Sequence, residues 1–239
     1  MKYIYGPVNS RRLGVSLGVS LTPHKVCPFD CIYCQLGKTS RKTLERKEYV
    51  KISDILAEVN SWIASHSDEL KTLNFITLSG SGEPTLNSGI DKLIDSLKKM
   101  LRVPVAVITN SALLADQTVR RQIYGADLIV PSLDAVTQEA FDKIDRPCPE
   151  VKLEGIIEGL VSLRREFRGK IWLEVMLVKG VNDNLAHSRM LKQVIERINP
   201  DIVQLNSPVR TTAEDGVEPL DAKHLEKIKD LLGDKCEII

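Results

Sequence analysis

Apolar residues along this chain follow two spacings that alternate from end to end. Short runs, several rich in Val and Ile, fall at residues 15–21, 74–78, 103–109, 127–133, 171–178 and 202–205, and each predicts a β-strand apolar on both sides. Between them the apolar positions recur every three to four residues. Ile52, Ile55, Leu56, Val59, Trp62 and Ile63 share one helix face, with Ser53 placed to cap its start. Ile90, Leu93, Ile94, Leu97 and Leu101 form a second face, and Leu153, Ile156, Ile157, Leu160 and Leu163 a third, before Gly169. Leu191, Val194, Ile195 and Ile198 form a fourth, which Pro200 terminates. Six strands alternating with one-faced helices predict an α/β fold with a parallel sheet, because parallel neighbours need a crossover that is usually helical. In barrels of this kind the functional groups sit at the C-terminal strand ends. The pattern alone does not separate a barrel from an open sheet.

No repeat, low-complexity tract or Pro/Gly-rich linker divides the chain, and 239 residues with 43% hydrophobic content suit one domain, residues 1–239. Its core is expected at about 13–210, with a helical extension at about 218–233. No run approaches the roughly 18 apolar residues of a membrane span. The opening MKYIYGPVNSRRLG has no continuous apolar signal core, so a soluble cytoplasmic protein is expected. The net charge is +1, yet residues 1–50 carry nine Lys or Arg against three acids, leaving 24 bases against 29 acids elsewhere. Such a basic stretch suits a phosphate-bearing partner or an ordinary solvated face.

Three of the five cysteines lie in CPFDCIYC, as Cys27, Cys31 and Cys34, and the odd count fits no disulfide framework. The spacing CxxxCxxC lets one loop wrap an iron-sulfur cluster with three thiolates and one iron left open. The alternative is a structural zinc site completed by His24. Cys148, in IDRPCPE, is either a hydrogen donor or an inert thiol, and Cys236 reads as a bystander.

The cysteine motif, with the aromatic Tyr33 before its last member, resembles the signature of the radical S-adenosylmethionine superfamily. The resemblance implies a partial (β/α)6 barrel of parallel strands with outer helices. It also implies a 4Fe-4S cluster on Cys27, Cys31 and Cys34, and S-adenosylmethionine chelated at the open iron. Reductive cleavage to a 5′-deoxyadenosyl radical would follow, with an electron donor such as flavodoxin or ferredoxin. SGSGEPTL at residues 79–86 is similar to the family's GGEP segment, with Ser81 in place of its first glycine. Backbone near Gly82 and the side chain of Glu83 would then hold the methionyl ammonium. By the same resemblance Tyr33, Asn110, Ser132 and Asp134 are cofactor contacts, although Asn, Ser and Asp also fill turns and helix caps routinely. Residues 172–183, WLEVMLVKGVND, resemble the fifth-strand segment of molybdenum-cofactor cyclases. Glu174 interrupts that apolar strand and is expected to face the barrel interior as a cofactor contact, with Lys179 an anion contact at the strand end. Asn206, in QLNSPVR, would reach the cofactor, and Arg210 the substrate.

GPVNSRRLGVSLGVSLTP together with these motifs resembles a branch of iron-sulfur oxidoreductases grouped with wyosine-type tRNA-modifying synthases. It makes tRNA a candidate substrate, with Arg11, Arg12, Lys38, Arg41, Lys42, Arg46 and Lys47 as possible phosphate contacts. Other readings are an activase that installs a glycyl radical on a protein partner, a radical enzyme acting on a small anionic metabolite, and a zinc-binding module without activity. No membrane partner is expected.

Overall fold

A computed structural model describes residues 1–239. Its strands are β1 (Ile4–Ser10), β2 (Gly14–Ser20), β3 (Val26–Cys27), β4 (Arg41–Lys42), β5 (Phe75–Ser79), β6 (Val105–Thr109), β7 (Leu128–Pro131), β8 (Lys170–Met176), β9 (Ile202–Asn206) and β10 (Cys236–Ile238). The helices are α1 (Ile52–Ser65), α2 (Ser67–Leu70), α3 (Ile90–Met100), α4 (Gln117–Gln122), α5 (Gln138–Ile144), α6 (Leu153–Glu166), α7 (Leu185–Ile198) and α8 (Ala222–Leu232). No helix is long and apolar enough to cross a membrane.

Eight strands form one sheet in the order β1-β2-β5-β6-β7-β8-β9-β10. Every neighbouring pair from β2 to β10 is parallel. The six strands expected from the apolar runs are β2 and β5 to β9, and they carry the partial (β/α)6 barrel with outer helices. The sheet does not close on itself, since β1 and β10 remain its two edges.

Two elements of the barrel escape the apolar pattern. β1 pairs antiparallel with β2, and its register shifts between Tyr5 and Val8, across Gly6 and Pro7. A proline is tolerated there because the outer edge of the strand needs no donor. β10 is three residues long and too short to show a period. Ser53 does not cap α1. The cap position is Lys51, and the Glu48 carboxylate accepts from the Ile52 amide at 3.1 Å instead.

Side-chain alternation divides the sheet into two faces. On β6, Val105 and Val107 join a core of fifty buried apolar residues under the helices, which includes the predicted faces of α1, α3, α6 and α7. Ala106 points the other way, into a small inner cluster with Leu13, Leu128 and Val130, against which Phe75, Ile108 and Trp172 pack. Leu13 comes from the β1–β2 turn, so that hairpin plugs the interior at the N-terminal ends of the strands. The C-terminal ends are left to line a cavity.

Candidate functional site

The cavity measures about 450 Å³, within the range of small-molecule sites. Its walls come from the C-terminal ends of successive parallel strands and the loops that follow them. β2 leads into the cysteine loop, β5 into Gly80–Glu83, β6 into Asn110, β7 into Ser132 and Asp134, β8 ends at Met176 and β9 at Asn206. Cys27, Cys31, Tyr33 and Cys34 line the same space.

The two loops nearest the cysteines interlock. A side chain at Gly82 would overlap the carbonyl oxygen of Val26, which also accepts from the Glu83 amide at 3.1 Å. Ser81 fits in the first-glycine place because its amide donates to Ser20 Oγ at 3.2 Å and its carbonyl accepts from the Lys25 amide. Glu83 is 2% exposed and caps a short 3₁₀ turn, Pro84–Leu86. Its Oε1 accepts from Thr85 N, Thr85 Oγ1 and Thr109 Oγ1. Its Oε2 accepts only from the Asn110 amide, at 2.8 Å, and keeps capacity for one more donor. Burial raises the Glu83 carboxyl above its ordinary pKa, with these hydrogen bonds opposing.

The sulfurs have distinct partners. Asn110 Nδ2 donates to Cys27 Sγ at 3.3 Å, Lys25 Nζ donates to Cys34 Sγ at 3.1 Å, and Cys31 Sγ donates to Asp145 Oδ1 at 3.3 Å. Burial, reinforced by Glu83, pushes the Cys27 thiol up to about 12, and burial with Asp145 pushes Cys31 well above the ordinary thiol range. All five cysteines are free. His24, the fourth ligand a tetrahedral zinc site would need, is exposed and absent from the cavity wall. A multi-iron cluster binds each thiolate at a different iron. Two of the three sulfurs face hydrogen-bond donors, as thiolates prefer. The donor set therefore fits such a cluster with one iron left open.

Beyond the sulfurs, Tyr33 donates its hydroxyl to Asp134 Oδ2, and Asp134 Oδ1 accepts from the Met176 amide at 2.9 Å. Burial raises Asp134 to about 6 and Asp145, beside it, well above the carboxylate range. Ser132 lines the cavity and bridges to Glu174 across the β7–β8 gap. Glu174 faces the interior. Its partners are Arg12, which forms an ion pair with it, and Asn206 Nδ2 at 3.1 Å. Arg11 completes the chain by donating to Asn206 Oδ1 at 3.3 Å and to the Ile239 carbonyl at 3.0 Å.

The expected substrate residues do not gather. Arg210 lines the cavity and donates to Gln35 Oε1 at 2.6 Å. Arg41 is paired with Glu45, and Lys42 donates to the carbonyls of Arg146 and Pro147. Lys179 is exposed and paired with Glu218, and Cys148 is buried in the helical core. None of these four reaches the cavity wall. The basic flank also disperses, for Arg12 turns inward, Lys38 pairs with Glu214, Lys47 pairs with Glu45, and Arg46 bonds the Thr85 carbonyl and Gln122. Lys25 and Asp145, which contact Cys34 and Cys31, do not stand out in the sequence. The signal for Lys25 lay two residues before the first cysteine, but one basic residue in a basic stretch does not stand out.

Known proteins agree with this architecture. Residues 21–189 match the radical SAM superfamily. A protein of Brachyspira hyodysenteriae named GTPase Obg is 38% identical over 237 residues, covering 99% of this chain and 34% of that protein. A UPF0026 protein of Methanocaldococcus jannaschii is 33% identical over 228 residues, 95% of this chain and 70% of its own length. This chain thus spans about a third of the first and about two thirds of the second. Among solved structures, a radical SAM methyltransferase from Sphaerobacter thermophilus superposes with a TM-score of 0.74 at 17% identity, over 94% of this chain and 65% of that one. TYW1 with a lysine-pyruvate adduct bound gives 0.64 at 21%, over 91% and 72%. These two likenesses concern the fold.

Proposed function

The chain belongs to the radical SAM superfamily, a class of enzymes, and on that premise we propose that Cys27, Cys31 and Cys34 hold a 4Fe-4S cluster beside an S-adenosylmethionine site. When bound, the two groups supply reductive cleavage of the sulfonium to a 5′-deoxyadenosyl radical that takes a hydrogen atom from the substrate, the electron coming from a flavodoxin or ferredoxin. The observation that carries this reading is the convergence of the three cysteines with the polar C-terminal ends of five further strands on one cavity.

The chain's own residues bind and orient. Glu83 Oε2, with one acceptor position free, would receive the methionyl ammonium beside the Gly80–Glu83 turn. Asn110 fixes Cys27, while Tyr33 and Asp134 lock each other and stiffen the wall behind the cofactor. Leu13 and the cluster around it close the far end against water. Residues 1–239 act as one functional domain in the cytoplasm.

For the substrate, a wyosine-type tRNA nucleotide is the reading favoured by the sequence branch, and TYW1 shares the fold. Arg210 stands on the cavity wall with Gln35 as its side-chain partner and no carboxylate, where it would meet an anionic group of the substrate. Anaerobically reconstituted protein is expected to contain iron and sulfide and, once reduced, to release 5′-deoxyadenosine. Cys31→Ala is expected to release none above background. Stoichiometric zinc without iron or sulfide, or unchanged cleavage in the variant, would overturn the reading. Deuterium passing from labelled tRNA into 5′-deoxyadenosine identifies the substrate, and its absence with RNA alongside transfer from a small phosphorylated compound would reassign it.

A further inference from the structure

Two cationic side chains are buried in this protein, and they are treated differently. Arg120 is 6% exposed and meets the Glu166 carboxylate at two points, 2.9 and 3.0 Å. Lys25 is 3% exposed, and its one side-chain partner is the sulfur of Cys34 at 3.1 Å. Removing an ammonium from water costs several kcal/mol unless a negative charge answers it. A thiol sulfur supplies little of that.

The backbone shows that Lys25 is held there and has not drifted in. Its φ is +53°, a left-handed conformation that is strained for a non-glycine residue and persists only where surroundings impose it. The constraint is visible on both sides, because the Lys25 amide donates to the Ser81 carbonyl and its own carbonyl accepts from the Arg41 amide at 3.2 Å and from Ser40 Oγ at 3.1 Å. Two loops thus clamp one residue so that its ammonium enters the cavity beside the third cysteine.

We infer that Lys25 is the built-in counter-ion of the iron-sulfur cluster, acting as a positioning residue through the Cys34 thiolate. The inference rests on the cluster reading above. Three thiolates outweigh the charge of the oxidised core, so the group is anionic, and each electron added makes it more so. A fixed ammonium in a poorly solvated site therefore stabilises the reduced state more than the oxidised one and raises the reduction potential. It also answers the burial of Lys25 itself.

Anaerobic redox titration with dithionite, followed by the electron paramagnetic resonance of the reduced cluster and run without S-adenosylmethionine, tests this on the wild type, Lys25→Met and Lys25→Arg. At the potential that half-reduces the wild type, Lys25→Met is expected to show a reduced-to-oxidised ratio about tenfold lower, a shift of 59 mV to more negative values for one electron. Lys25→Arg is expected to stay within about twofold of the wild type. Identical potentials in Lys25→Met and the wild type overturn the inference, including where only the affinity for S-adenosylmethionine falls, which would make the ammonium a cofactor contact. If Lys25→Met takes up no cluster, iron content decides. Full loading of Lys25→Arg supports the charge, and an empty Lys25→Arg overturns it. Wild-type protein without iron and sulfide brings down the cluster reading itself, and is told apart by that one analysis.

Discussion

The two walls of the cavity are built on opposite principles. On the β5–β6 side, polar groups turn to the cysteine sulfurs and one keeps hydrogen-bonding capacity unspent. Asn110 and Lys25 donate to sulfur, and Glu83 Oε2 keeps an acceptor position open. On the β8–β9 side, the chain Arg12–Glu174–Asn206–Arg11 hydrogen-bonds within itself and ends on the Ile239 oxygen. A charge inside a barrel is therefore a poor guide to a ligand, whereas hydrogen-bonding capacity left unspent is a better one. Glu174 and Asn206, expected from the sequence to reach the cofactor, belong to the self-satisfied wall. Their geometry ties the β1–β2 hairpin to β8 and β9 across the cavity.

The sharpest way to break the comparison is on the self-satisfied wall. Arg12→Met leaves Glu174 buried without its partner and is expected to cost about 3 kcal/mol of stability by chemical denaturation, at the low end for a buried pair because Arg12 is 27% exposed. Arg12→Met with Glu174→Met is expected to recover most of that loss. Additive costs would show that the pair is not coupled. On the other wall, Glu83→Gln turns an amide donor toward either the Asn110 amide or the threonine donors, and is expected to cost about 2 kcal/mol. It should also weaken S-adenosylmethionine binding in calorimetry, which Arg12→Met should affect less. Equal effects of both variants on that affinity would erase the distinction between the walls.

The smallest effect lies outside both. Glu166, bonded by Arg120 and Tyr124, has its carboxyl lowered from 4.5 to about 2, with Arg120 the leading cause. A depressed acid stabilises the fold above its unfolded pKa and loses that contribution as pH falls. Acid titration of stability should therefore show a loss of about 1 kcal/mol between pH 4.5 and 2 that is absent in Glu166→Gln.

Much of the barrel was legible because parallel strands covered on one face and packed inside on the other must be apolar on both, and because helices lying on them must be apolar on one. That period is local, and it located six strands and the buried faces of α1, α3, α6 and α7. β1 was illegible because Gly6 and Pro7 break its pattern at a sheet edge where pairing tolerates them. α4 and α5, six and seven residues long, span too few turns to display a period. At the candidate site, Cys27, Cys31 and Cys34 stood out by their spacing within one loop, and Gly82 and Glu83 by theirs in the loop after β5. Arg41, Lys42 and Lys179 misled, since a charged residue in sequence carries no sign of the neighbouring carboxylate or carbonyl that occupies it.

By itself, then, the sequence determined the alternation of elements, the three-thiol loop and the glycine that lets a second loop press against it, all of them consequences of residue type at short spacing. Only the tertiary structure decided which polar groups remain available. Arg12 finds Glu174 across 162 residues, Tyr33 finds Asp134 across 101, and Lys25 finds a sulfur where a buried ammonium requires a negative charge. Whether a group is spent or unspent depends on its burial and on partners that the chain brings together only by folding.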